Sequence, residues 1–440
     1  MSRGREIRQN LDWITILLYL MLTGLGLVAI YSAAYNADHS AVWDISQPYG
    51  KQLMWIGICL VVGFFAVNTE GEFFNRFSPV MYISVLVMLV LVLLIGKKVG
   101  GARSWFAIGS FAIQPSEFAK AVTALFLAHT INKAGSRFKS IDNRLKAIGI
   151  LAIPAGLIML QPDAGTVLVF VGFIFALYRE GLSGNILIIG FAALVIAVLS
   201  IIMGADTLTY PFFGEQSGIY YLGLGIIVSG VIGYFGIKGF VLPRYRRTKY
   251  LILVLSIFAS LGFCAAVHTG IEKVLMPHQK QRIYVTFGME VKDKGAEYNI
   301  RNAKAAISSG EFSGKGFLDG PMTQYSFVPE QRTDFIFCTI GEEWGFIGSL
   351  IVLSLFTTLI IRMLFLAERQ RSQFSRVYGY CVASILFMHL MINVGMVIGL
   401  APVIGIPLPF FSYGGSSLLG FTILIFIMLR LDSERYSVFR

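Results

Sequence analysis

The chain has 440 residues, of which 56% are hydrophobic and 14% charged, and carries a formal net charge of +11. A mean hydropathy of +0.71 excludes a soluble globular composition. Apolar runs of about 20 residues, each long enough for the roughly 30 Å hydrocarbon core, recur along the chain and define an all-α polytopic membrane protein. In such a chain Lys and Arg set loop orientation, so the positive charge is no sign of a nucleic-acid partner. Cys59, Cys264, Cys338 and Cys381 are scattered without a CxxC pair, which gives neither a disulfide framework nor a zinc site.

Arg3, Arg5 and Arg8 resemble a signal-peptide n-region. No small-residue cleavage pattern follows, so the first apolar run reads as a retained helix. About twelve spans are predicted in a single integral domain 1–440, near 12–32, 52–68, 78–96, 116–131, 145–160, 164–179, 183–204, 217–238, 250–268, 341–366, 377–400 and 415–431. With the amino terminus inside, three cytoplasmic loops collect Lys133 to Lys146, Lys238 to Lys249 and Arg362 to Arg376, and the carboxy terminus ends inside with Arg430, Arg435 and Arg440. The long polar interval 269–340 then lies outside, and loops of that length are usually functional or disordered; its charged and aromatic content argues for a site that handles a charged substrate. Its cations, among them Lys280, Arg282, Lys292, Lys304, Lys315 and Arg332, suit a phosphate-bearing ligand.

From Phe335 to Leu366 the chain stays apolar for about 48 Å as helix, more than one core thickness. A break is predicted at Gly341, where Thr339 to Glu342 has a capping-box pattern, leaving Phe335 to Cys338 buried outside the span. Glu342 and Glu343 read as acids stabilising that helix start.

Polar residues occur at membrane depth in three further places. Gly101 to Trp105 leads into Gln114-Pro115-Ser116-Glu117 and Lys120; Pro115 fits a first helical turn, and Glu117 and Lys120 share one helix face. Intramembrane charges of this kind default to function. Gln161-Pro162-Asp163 opens the sixth span, with Asp163 fit for an N-cap. Asn393 and Pro402 precede Pro407 to Ser417, whose Gly414-Gly415 pair is enough for a tight turn. His278 has no nearby Cys or His, so it suggests no metal.

The order GARSW, QPSEFAK, QPD, GAEYN, GKG, VPEQRTDFIF, GEEWGFIG and APVIGIPLPFFSYGGSS resembles the SEDS family of shape, elongation, division and sporulation proteins over nearly the whole chain, and the VPEQRTDFIF run resembles its elongation branch. The resemblance implies ten membrane helices, so the pair near 217–238 and 250–268 reads as an insertion, 205–268, that preserves sidedness. It implies a bacterial inner-membrane glycosyltransferase that polymerises lipid II into peptidoglycan strands, with 269–340 as the catalytic loop. Implied partners are lipid II, a class B penicillin-binding protein and other membrane proteins of the elongation complex.

The family loop carries an essential Asp in an Asp-x-x-Gly-x-Gly-Tyr pattern. Here Glu297 precedes Tyr298, the ungapped position is Lys292, and the nearest carboxylate is Asp293, followed by Glu290 as second candidate. Asp293 is the expected general base. Arg103, Lys120 and Arg282 are candidates for the departing diphosphate, with Glu117 and Asp163 orienting Lys120 or shaping the cavity. Trp105 and Tyr298 are candidates for packing sugar or lipid, and Lys315 and Ser416 are further substrate-binding candidates. A divalent cation, Mg or Mn, is a candidate at the diphosphate, although no ligand set is legible. The competing readings are a lipid-linked precursor flippase, for which internal repeats and broken midplane helices are expected, and a non-catalytic scaffold for a penicillin-binding protein.

Overall fold

The computed structural model describes residues 10–36, 41–99, 102–108, 111–135, 138, 140–205, 207–210, 214–273, 280–281, 284 and 294–435. The order of elements is α1 (Trp13–Ala33), α2 (Pro48–Asn68), α3 (Gly71–Ile95), β1 (Lys97–Val99), β2 (Ala102–Ile108), β3 (Phe111–Ile113), α4 (Pro115–Ala134), α5 (Ile141–Met159), α6 (Ala164–Val171) and α7 (Phe173–Arg179). Then follow α8 (Gly184–Ala205), β4 (Thr207–Tyr210), β5 (Gly214–Ser217), α9 (Gly218–Phe240), α10 (Pro243–Lys273), α11 (Lys294–Ser309), α12 (Pro321–Gln324), α13 (Ile336–Glu368), α14 (Gln373–Val397) and α15 (Gly415–Ser433). The protein is an all-α polytopic membrane protein whose only described strands form two small antiparallel sheets, β1-β2-β3 and β4-β5, in the connections.

Among the described residues, nine helices are long and apolar enough to cross a membrane, against about twelve expected. The three others fall short for legible reasons. α4 carries Glu117, Lys120, His129 and Lys133, and α5 opens with Asp142, Arg144 and Lys146. Ala164–Arg179 is a shorter apolar stretch, divided into α6 and α7 at Gly172. Local chemistry sets the ends as expected: Pro115 occupies the first turn of α4, and Asp163 caps α6 by accepting from the Thr166 N–H at 3.0 Å.

The chain divides into two compact units, one of residues 1–182 and 298–440 and one of residues 183–297. In the first, α15 packs along α2, α13 along α14 and α1, and α4 against both α3 and α14. The helices α14 and α15 form its centre. The second unit holds α8, α9 and α10, with α10 packed on both others, and the expected insertion 205–268 falls within it.

The predicted break at Gly341 is displaced. α13 begins at Ile336 and continues through Gly341 to Gly345, which alone leaves helical geometry (φ 62°, ψ −153°). Thr339 does not cap a helix; its hydroxyl instead accepts from Gln331 Nε2 at 3.0 Å. At Gly345 a Cβ would lie 2.4 Å from the Gly314 nitrogen, so both conformation and space require glycine. The loop 311–316 fills the gap. Lys315 N–H donates to the Glu342 carbonyl (3.0 Å), Gly316 N–H to that of Glu343 (3.0 Å), Phe346 N–H to that of Glu311 (3.0 Å) and Ile347 N–H to that of Phe312 (3.2 Å). Backbone groups released by the break are thereby satisfied, as buried polar groups must be. Phe335 to Cys338 are buried as expected.

Candidate active site

The motif segments of the first unit converge at one of its ends. There Asp163 does more than cap α6. Its carboxylate accepts from Gln114 Nε2 (3.0 Å), Ser116 Oγ (3.4 Å) and Thr166 Oγ1 (2.8 Å), so QPSE and QPD are two halves of one hydrogen-bonded corner. Gln161 Nε2 fastens that corner to α3 by donating to the Leu89 carbonyl at 3.1 Å.

One turn into α4 lies a buried ionic centre. Lys120 Nζ is 2.9 Å from Glu117 Oε2 and 2.8 Å from His389 Nε2 on α14, with the Phe421 ring centroid 4.6 Å away. Lys120 and Glu117 are 0% and 2% exposed, which makes this pair part of the interior. His389 Nδ1 faces the Pro407 carbonyl at 3.1 Å, an acceptor only. The imidazole must therefore donate from Nδ1 and accept at Nε2, the form that a protonated Lys120 requires. The i, i+3 spacing of Glu117 and Lys120 announced their pairing. His389 went unread because its partner is 269 positions away, and the signal on offer was an ionisable residue within an apolar span.

His389 joins this centre to the segment before α15. Asn393 Nδ2 donates to the carbonyls of Ile406 (2.7 Å) and Asp334 (2.8 Å). Ser412 Oγ donates to the Thr333 carbonyl (2.5 Å), and Tyr413 N–H donates to that of Arg332 (2.9 Å). The VPEQRTD and PFFSYGG runs are thus sewn together through their backbones. Beside the seam is a cleft of about 320 Å³ lined by Lys51, Trp55, Trp105, Thr333, Tyr413 and Gly415 among others. A Cβ on Gly415 would meet the Trp55 ring at 2.0 Å, so Gly415 admits that ring. Burial pushes the Tyr413 hydroxyl above its ordinary pKa, against the pull of Arg332.

The glutamates of α13 are not helix-start acids, because α13 begins six residues before Glu342. Both are buried. Glu342 accepts from the N–H groups of Met322 (2.8 Å) and Thr323 (2.9 Å) and from Thr323 Oγ1 (2.7 Å), which anchors α12. Glu343 accepts from Ser32 Oγ at the end of α1.

The predicted residues fall into three groups. Glu117, Lys120, Asp163 and the buried Ser416, in the first turn of α15, belong to this end of the first unit, and Trp105 lines the cleft. Arg103 on β2, Tyr298 on α11 and Lys315 are exposed. Arg282, Glu290 and Asp293 lie outside the described residues. Among the described residues, no three His, Cys, Asp or Glu side chains are grouped to hold a metal ion.

The FtsW/RodA/SpoVE family profile, described as cell cycle protein, matches residues 12–211 and 229–437. The chain belongs to this family. It is 30% identical over 424 residues to the peptidoglycan glycosyltransferase RodA of Treponema pallidum (strain Nichols), an alignment covering 93% of this chain and 94% of that one. It is 30% identical over 402 residues to the peptidoglycan glycosyltransferase MrdB of Escherichia coli (strain K12), covering 91% and 89%. Its fold is shared, at a TM-score of 0.67 and 24% identity over 97% of this chain and 98% of the other, by a chain from a structure of a peptidoglycan synthase complex that coordinates polymerization and crosslinking.

Proposed function

We propose that this membrane glycosyltransferase polymerises lipid II into peptidoglycan glycan strands during cell elongation, releasing polyprenyl diphosphate. The observation that carries the reading is the cleft lined by Lys51, Trp55, Trp105 and Tyr413, beside the seam that joins the VPEQRTD and PFFSYGG segments. Flat aromatic faces suit sugar rings, and the interval 269–340 is rich in cations that suit a diphosphate.

In the reaction an acceptor hydroxyl attacks the anomeric carbon as the bond from that carbon to the diphosphate oxygen breaks. The hydroxyl proton passes to a loop carboxylate, Asp293 first and Glu290 second. The charge developing on the leaving diphosphate is met by Arg103, exposed on β2, and by Arg282. Lys120 is enclosed by Glu117 and His389 and acts as a positioning residue that holds α4, α14 and the Pro407 carbonyl in register. Tyr298, Lys315 and Ser416 contact substrate around this centre. A single displacement inverts the anomeric centre.

The basic loops support an orientation with both termini cytoplasmic and 269–340 outside, in the bacterial inner membrane. A class B penicillin-binding protein suits the role of cross-linking partner, in keeping with the polymerization and crosslinking named for the synthase-complex structure of the same fold.

The test is glycan polymerisation from purified lipid II by the reconstituted chain, with and without such a partner. Asp293→Asn is expected to lower the rate by about 10²- to 10⁴-fold, the usual range for a general base. Loss confined to Glu290→Gln would move the base to that residue. Equal product from both variants would remove these carboxylates from the mechanism, and no product from wild type with its partner would favour the transporter or the scaffold.

A further inference from the structure

Four arginines at the other end of the first unit are matched to acids. Arg179 pairs with Glu368 at 2.9 Å, Arg376 with Glu180 at 3.0 Å, Arg369 with Asp432 and Arg362 with Asp12. The connection between α9 and α10 differs. The stretch Ile237 to Tyr250 holds Lys238, Arg244, Arg246, Arg247 and Lys249 and no Asp or Glu. Among the described residues none of these five forms an ion pair. The guanidinium contacts are local: Arg246 Nε donates to the Val241 carbonyl at 2.8 Å, and Arg244 lies 5.7 Å from the Tyr245 ring.

Two observations set this tip apart from an ordinary basic loop. Its apex is apolar and bare: Phe240 is 95% exposed, Leu242 68% and Tyr245 53%. Loop orientation requires cations and gives no reason for such an apex. The three arginines also follow Pro243 directly, at the end of α10 where the helix dipole is itself positive, so the hairpin supplies nothing to offset them. Cations around exposed aromatic and aliphatic side chains, at the adjoining ends of two spanning helices, are complementary to an anionic bilayer surface.

We infer that the α9–α10 tip is a docking site for anionic phospholipid headgroups. Arg244, Arg246, Arg247, Lys238 and Lys249 engage the phosphate oxygens, and Phe240 and Leu242 enter the apolar edge of the leaflet. The arginine forks favour phosphate over a carboxylate-only surface, because they meet its oxygens in pairs. This places a lipid-composition requirement in the second unit, separate from glycosyl transfer.

The test uses the full-length protein in a non-ionic detergent, titrated separately with phosphatidylglycerol, phosphatidylcholine and inorganic phosphate, with bound lipid counted by native mass spectrometry. Wild type is expected to retain phosphatidylglycerol over phosphatidylcholine. Arg244→Gln/Arg246→Gln/Arg247→Gln is expected to bind phosphatidylglycerol roughly 100-fold more weakly, from about 1 kcal/mol per cation at an anionic surface. The same three positions changed to Lys are expected to keep most of the preference, and Lys238→Gln/Lys249→Gln to lose an intermediate share. Thermal unfolding of each variant separates loss of lipid from loss of fold. Three results would each overturn the site: no preference in wild type, phosphatidylglycerol binding by the Gln variant equal to wild type, or displacement of the lipid by equimolar inorganic phosphate. The second of these would leave the cations to an acidic protein partner.

Discussion

The two units solve the problem of standing in a bilayer in opposite ways. In the first, 78% of the spanning window of α15 and 61% of that of α14 are buried against other helices, and three acids with buried side chains are matched to cations: Glu117 with Lys120, Asp432 with Arg369, Glu180 with Arg376. In the second, only 6% of the windows of α8 and α10 are buried, and the five cations of the tip have no acid beside them. Lipid gives apolar helices no hydrophobic reason to prefer one another, so specific packing has to come from close contacts and polar pairs. Where the chain carries buried polar pairs, its helices have defined neighbours and a cleft between them. Where it carries Leu, Ile and Val, they face acyl chains.

The contrast breaks most directly at Lys120. Lys120→Met leaves Glu117 buried without its partner and is expected to destabilise the protein by about 3–5 kcal/mol. Glu117→Gln/Lys120→Met is expected to recover most of that loss. Thermal unfolding in detergent followed by tryptophan fluorescence reads both, and a double variant as unstable as the single would refute the pairing. Next is Gly345→Ala, which combines a left-handed φ with a Cβ against Gly314. A loss of about 1–3 kcal/mol is expected, seen as faster proteolysis within 311–316. Thr323→Val removes one of three donors to the Glu342 carboxylate, with an expected loss of about 1.5–3 kcal/mol at most, read in the same proteolysis assay at α12.

A smaller effect is expected in acid. Burial would raise the Asp12 carboxyl, but hydrogen bonds from Arg362 and Thr15 outweigh it and hold the group below the ordinary carboxylate value. Such a group contributes fully above its ordinary pKa and loses its contribution as pH falls through the lower folded value. Asp12→Asn is therefore expected to melt earlier than wild type at neutral pH, with the gap closing in acid; a gap independent of pH would exclude the carboxylate. Smallest is the arginine-to-glutamine change at the α9–α10 tip, expected to alter stability by less than about 0.5 kcal/mol, as for surface positions generally. A larger loss would show that the second unit depends on those cations for its fold.

Much of this architecture was legible, and the parts that were not share a cause. Span positions, the Pro115 start, the Asp163 cap and the Glu117–Lys120 face all follow from neighbours within about four residues, where spacing alone decides. The break at Gly345 was misplaced by one helical turn because Thr339 and Glu342 are spaced like a capping box, while the groups that claim them, Gln331 and Thr323, come from another segment. His389, Lys51, Trp55 and the role of Glu342 were missed for the same reason: each acts on a residue distant in sequence. The amphipathic helix α11, with Ile300, Ala303 and Ala306 buried, stayed hidden in an interval read only for its polarity.

The seam at Gly345 has a mechanical meaning. Its four backbone hydrogen bonds run in both directions, two from the loop to the helix and two from the helix to the loop. Residues 311–316 therefore cannot be pushed or pulled independently of the first turns of α13, and Glu342 passes the same displacement on to α12. A force applied to this exposed loop reaches Gln331 and the VPEQRTD run through Thr323 and Thr339. The amides of Lys315, Gly316, Phe346 and Ile347 should then exchange with solvent in one concerted opening, which makes them a strain gauge for anything that grips the protein from that side.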